Sequence, residues 1–143
     1  MRRFFKEAIP IKSQITQYIK KLEHHGAMVF TFNSHRKMPT GAISFVDHLI
    51  MYKGITLYCE VKVGKDKFSP KQLMTAIQLC NNCKKAKDQF YIVLEEGSYK
   101  DVVCSLLQEK VLELYRWQEA SYQLVLMLEQ KEIKKLKRKV KNA

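Results

Sequence analysis

Glycine and proline are scarce, five and three in 143 residues, and the 46 residues after Gly97 contain neither. Acids are also few: 14 against 26 lysines and arginines, for a net charge of +12. No run approaches the ~20 consecutive apolar residues a membrane span requires, so no membrane partner is expected. No secretory leader is visible, because Arg2-Arg3-Phe4-Phe5 is followed by charges and Pro10 rather than by an apolar run. The four cysteines, Cys59, Cys80, Cys83 and Cys104, are therefore read as reduced thiols of a cytoplasmic protein. Cys80 and Cys83 have zinc-knuckle spacing, but no second pair follows, and one helix face of core thiols is the simpler expectation. There is no internal repeat and no low-complexity linker. The length suits one domain with a real core.

What is abundant is positive charge, and a small protein this basic usually meets a polyanion, nucleic acid first; the plainer alternative is a solvated basic surface. Half of the net charge lies in residues 131–143, seven basic residues against one acid. That segment is either an amphipathic tail adding phosphate affinity or a solubilising one.

The periodicities predict the order α-β-β-β-α-β-α, a mixed α/β sheet covered by helices. Ile11, Ile15, Tyr18, Ile19 and Leu22 fall at helical spacing, and Gly26 ends that helix after His24-His25. Residues 27–32 read as a strand, as do 43–52 and 55–63. Only Lys53-Gly54 separates the last two, which predicts an antiparallel hairpin. Ser69-Pro70-Lys71-Gln72 is a strong helix start, with Ser69 as cap, Pro70 in the first turn and Gln72 closing a capping box. Residues 89–94 are nearly all apolar and read as a strand covered on both faces, parallel to its predecessor. A helix is expected from Ser98, with Asp101 as its box partner. One unbroken helix through the last 46 residues would run about 69 Å, so a break near residues 108–110, or packing on another copy, is expected.

The chemistry concentrates at the hairpin. Glu60 and Lys62 are two apart and share one face of an otherwise apolar strand, where desolvating them is unfavourable unless something offsets it. Asp47, on the partner strand, can bring a second carboxylate to the same place. Two carboxylates converging beside a lysine form a hard-oxygen cradle for Mg²⁺ or Mn²⁺.

The order Asp47, then Glu60-Val61-Lys62, then Ser69-Pro70-Lys71-Gln72 resembles the PD-(D/E)XK nuclease superfamily, and within it the VRR-NUC domain, whose small stand-alone members are common in phages. The resemblance spans about residues 7–96. Its second and third motifs are intact. The first departs: the family has Gly-x-Pro-Asp, whereas Val46 precedes Asp47 here and Gly41 lies six residues back. Members often carry an acidic residue in the first helix; the acidic candidate here is Glu7, ahead of Pro10, while Gln14 at the usual place would leave the site without a third acid. The resemblance implies a restriction-endonuclease-like α-β-β-β-α-β core in residues 1–97, with residues 98–143 as an added helical segment of the same domain or a dimerisation element. It implies a Mg²⁺- or Mn²⁺-dependent nuclease, endo- or exo-acting, with DNA as partner and branched or junction DNA as a candidate target. It would work as a homodimer in the cytoplasm, of the host if the chain is viral. Asp47 and Glu60 would be metal ligands, joined by the Val61 backbone carbonyl. Lys62 would position or activate water. Gln72 would reach Lys62 or that water, a demand that competes with its capping-box role. Arg36, Lys37, Lys65, Lys67 and Lys71 would contact phosphate. Two alternatives stand beside this: a catalytically inactive nucleic-acid-binding module on the same fold, and an interaction protein built on the carboxy-terminal helix.

Overall fold

The structure is a computed structural model that describes residues 9–32 and 45–142. Its elements are α1 (Ile11–Lys20), a 3-10 turn (Lys21–His25), β1 (Met28–Thr31), β2 (His48–Tyr52), β3 (Ile55–Val61), α2 (Pro70–Lys84), β4 (Gln89–Leu94), α3 (Tyr99–Leu107) and α4 (Val111–Lys141). The strands form one mixed sheet in the order β1-β2-β3-β4. The β1–β2 and β2–β3 pairs are antiparallel, and β3 and β4 are parallel, joined through α2.

Local chemistry accounts for much of this. Lys53 and Gly54 both have positive φ, 47° and 81°, as a two-residue turn matched to strand twist requires. At the start of α2, Ser69 Oγ accepts from the Gln72 N–H and Gln72 Oε1 accepts from the Ser69 N–H, closing the capping box. Such a cap contributes about 1 kcal/mol. Gly26 ends the first helical segment at φ 92°, in the left-handed region.

Alternation along the strands builds two cores, one on each face. Ile50, Leu57, Cys59, Phe90 and Ile92 pack with α1 residues Ile15 and Ile19, with Val102, Val103 and Leu106 of α3, and with Leu114 of α4. On the opposite face, Tyr91 and Val93 pack with Leu73, Ala76, Cys80 and Cys83 of α2 and with Val125 of α4. Cys80 and Cys83 are therefore core residues. Burial pushes their thiols up, to about 12 and about 11 respectively. Over β1 and β2 that face stays open, with Met28, Phe30 and Met51 exposed.

The long segment after Gly97 breaks at residues 108–110, where Glu109 takes φ 53°. Ser98 does not cap α3 as its box with Asp101 predicted. Its hydroxyl accepts instead from the Glu95 N–H at 3.1 Å, closing the preceding turn. The α4 helix has 31 residues, about 46 Å at the standard rise. It lies along the outer edge of β4. There Gln118 Oε1 accepts from the Tyr91 N–H and Ser121 Oγ from the Val93 N–H, each at 2.9 Å. Side chains thus satisfy the donors that an edge strand would otherwise present to another chain. No helix among the described residues is long and apolar enough to cross a membrane.

Candidate active site

The site begins where the β2–β3 ladder fails. Sequence composition suggested a strand from residue 43, but β2 starts at His48 and Asp47 sits in a bend. The Asp47 N–H donates to the Cys59 carbonyl at 3.0 Å, while its own carbonyl accepts from the Phe32 N–H at 2.9 Å. In a regular antiparallel strand both groups would face the same neighbour. With its carbonyl turned toward Phe32, Asp47 supplies its side chain to β3 instead, and Oδ2 accepts from the Val61 N–H at 2.8 Å. The carboxylate stands in for a main-chain acceptor and is held by it. Within a strand, a residue's N–H and carbonyl point to the same edge, so the Val61 carbonyl faces the Asp47 side.

Glu60 is 2% exposed. It shares a sheet face with Tyr58, Tyr91 and Val93, and Val93 is its direct partner on β4. Burial pushes its carboxyl up, to about 8, and the adjacent Asp47 carboxyl, within hydrogen-bonding reach, adds to the shift; Lys62 and Lys12 oppose it. No donor of the described residues reaches Glu60 Oε1. A buried acceptor without a donor is unfavourable by about 1–3 kcal/mol. Glu60 thus keeps its proton at neutral pH, or needs a cation in its place.

Lys62 lies beside this pair. Its ammonium donates to the Lys67 carbonyl at 3.0 Å and to Gln72 Oε1 at 2.9 Å, over the ring of Phe68 at 4.6 Å. Among the described residues, one of its three N–H donors remains. It forms no ion pair with Glu60 or Asp47 among the described residues, so its charge acts on Glu60 across a gap. The expected competition between the two roles of Gln72 does not arise. One carbonyl oxygen has two lone pairs, and Oε1 accepts from Ser69 N–H and Lys62 together. The helix cap and the lysine clamp are one group.

The remaining sequence-predicted residues divide. Lys65, Lys67 and Lys71 are exposed around the loop between β3 and α2. Arg36, Lys37 and Glu7 lie outside the described residues. Gln14 does not join the site, because its amide donates to the Ile9 carbonyl at 2.7 Å. Two residues that sequence reasoning passed over do belong here. Lys12 of α1 pairs with Asp66 at 2.9 Å and lowers the acidity shift of Glu60. Tyr91 is fully buried with its hydroxyl unpartnered among the described residues, and burial beside Glu60 pushes that hydroxyl up. The available signal for Tyr91 was its register: parallel pairing of residues 89–94 with β3 puts it one step along from Glu60 on the same face.

The donor set fits a hard divalent cation in one respect. Two carboxylates converge, one oxygen lacks a donor among the described residues, and the Val61 carbonyl lies on the strand edge that Asp47 occupies. Among the described residues no group of three or more histidine, cysteine, aspartate and glutamate side chains forms a metal cluster. No protein family, curated protein or solved structure gives a significant match to the chain.

Proposed function

We propose that this protein is a Mg²⁺- or Mn²⁺-dependent nuclease of the PD-(D/E)XK type, acting on phosphodiester bonds in DNA. The observation that carries this is the buried Glu60 carboxyl against Asp47, with Oε1 lacking a donor among the described residues and a clamped lysine nearby. A structural carboxylate on a core strand would be paired with a cation or replaced by an apolar residue. This one is poised for an outside ligand.

Asp47, Glu60 and the Val61 carbonyl would hold the metal. When bound, Mg²⁺ or Mn²⁺ supplies Lewis acidity at the phosphate and eases deprotonation of the attacking water. Asp47 keeps its geometry through the Val61 N–H. The remaining N–H of Lys62 orients the water or a phosphate oxygen and offsets the charge gathering there. Gln72 prevents that ammonium from collapsing onto Glu60. Water adds to phosphorus, one ester P–O bond breaks, and the products are a phosphate monoester and a hydroxyl end. A net charge of +12 supports a polyanionic substrate.

A second reading, a binding module without catalysis, has one observation in its favour: Gln14 is tied to Ile9 and no third acid joins the pair among the described residues. Cleavage of supercoiled, linear, single-stranded and branched DNA with Mg²⁺ or Mn²⁺ separates the two. We expect metal-dependent cleavage that Glu60→Ala and Lys62→Ala each reduce at least 100-fold. Binding without cleavage in any metal supports the module instead.

A further inference from the structure

We infer that the groove beside Lys62, walled by the far half of α4, holds one unpaired nucleotide of the substrate strand. The choice of DNA rests on the nuclease reading; the groove itself does not. It has a volume of about 430 Å³ and opens between the loop after β3 and α4. Pockets of roughly 300–1,000 Å³ hold small ligands, a nucleotide among them. Its apolar lining comes from Phe68, Leu73, Leu124 and Leu128, and its cations are Lys62, Lys67, Lys131 and Lys135. Two of those lysines come from α4, which the motif pattern left unassigned.

The spacing explains how one helix does both. Leu124, Leu128, Lys131 and Lys135 follow intervals of four, three and four, so they form one stripe along α4. That stripe is apolar over the body of the domain and basic where the helix leaves it. Asp66 also borders the groove, but its charge is taken up by Lys12 at 2.9 Å. Glu95 and Glu132 remain as acceptors, and an unpaired base has exocyclic amino groups to offer them. A slot apolar within and cationic at its rim suits a base with its phosphate. A stacked base pair cannot enter between two walls, so the base must already be out of a duplex. Lys62 is itself part of the lining, which puts the held nucleotide beside the proposed reacting site.

The test is fluorescence anisotropy in EDTA, where nothing is cleaved. The probes are a labelled 20-nucleotide single strand and the same sequence as a blunt duplex. Wild-type protein is expected to bind the single strand at least about tenfold more tightly. The double variant Lys131→Gln, Lys135→Gln should weaken single-strand binding about tenfold and leave duplex binding within about twofold. Lys84→Gln, Lys85→Gln removes the same charge elsewhere and should change neither. Equal loss on both probes, an equal effect of the control pair, or no single-strand preference in the wild type overturns the inference. Glu60→Ala should abolish cleavage and keep this binding. A protein that never cleaves but shows the single-strand effect therefore refutes the nuclease reading alone.

Discussion

Replacing Glu60 with glutamine should make the metal-free protein more stable at alkaline pH, and the size follows from the site. The carboxyl is raised from its ordinary 4.5 to about 8 because it is buried against Asp47. Between those values the folded state keeps a proton that the unfolded state has released. Stability therefore falls as pH rises, by about 1.4 kcal/mol per pH unit, and the full penalty is present above the folded value. From pH 6.5 to 8 the loss is about 2 kcal/mol, or about 8 °C in melting temperature for a domain of this size. Glu60→Gln carries no such charge, so its melting curve should stay flat over that window. His48 works in the opposite direction. Burial lowers its pKa, so its contribution is lost as pH falls below its ordinary 6.5. It is present in both proteins and cancels in the difference. Adding 10 mM Mg²⁺ should restore the wild type at pH 8, because the cation replaces the proton, and should do nothing for the variant. Thermal melts at half-unit pH steps, with and without Mg²⁺, measure all of this. Parallel curves for the two proteins, or equal stabilisation of both by Mg²⁺, would refute the argument that Glu60 is a buried acid awaiting a cation.

Two further outcomes follow from hydrogen bonds that replace main-chain pairing. Asp47→Ala should be less stable than Asp47→Asn by about 1–2 kcal/mol in urea unfolding at pH 6, since only asparagine keeps an acceptor for the Val61 N–H; equal midpoints would mean that this bond is inconsequential. Ser121→Ala should strip amide-exchange protection from Val93 while leaving Tyr91 protected through Gln118, and unchanged exchange at Val93 would show that the β4 edge is covered without it.

How much of this was legible depended on sequence distance. The hairpin, the capped start of α2 and the doubly covered β4 were all readable because each rests on neighbouring residues: Lys53-Gly54, Ser69 to Gln72, and an unbroken apolar run. The break at residues 108–110 was readable from length alone, since a small core cannot cover a helix of 46 residues. The start of β2 was not. Nothing in the composition around Asp47 announces that its carbonyl turns to Phe32, just after β1, a contact 15 residues away along the chain. Ser98 looked like a helix cap because serine before a helix usually is one, yet it serves the turn behind it. In the site, the residue types Asp47, Glu60, Lys62 and Gln72 were visible as a pattern. The donorless oxygen of Glu60 and the buried hydroxyl of Tyr91 were not, because both depend on what surrounds them in three dimensions.

The double use of Gln72 has a mechanical consequence. Its oxygen belongs at once to the first turn of α2 and to Lys62, so the lysine cannot shift without disturbing the cap, and α2 cannot slide without moving the lysine. On its far side α2 packs through Cys80 and Cys83 into the core that Val125 of α4 completes. That helix in turn is fastened to β4 by Gln118 and Ser121, and β4 is paired along its length with the strand carrying Glu60. The loop is closed: β3 positions the carboxylate, β4 and α4 fix α2, and α2 fixes the ammonium opposite that carboxylate. Core residues remote from the hairpin therefore set the gap between Glu60 and Lys62, the one distance on which the proposed chemistry turns. Packing holds that gap through the two bonds that anchor the ammonium, to the Lys67 carbonyl and to Gln72 Oε1.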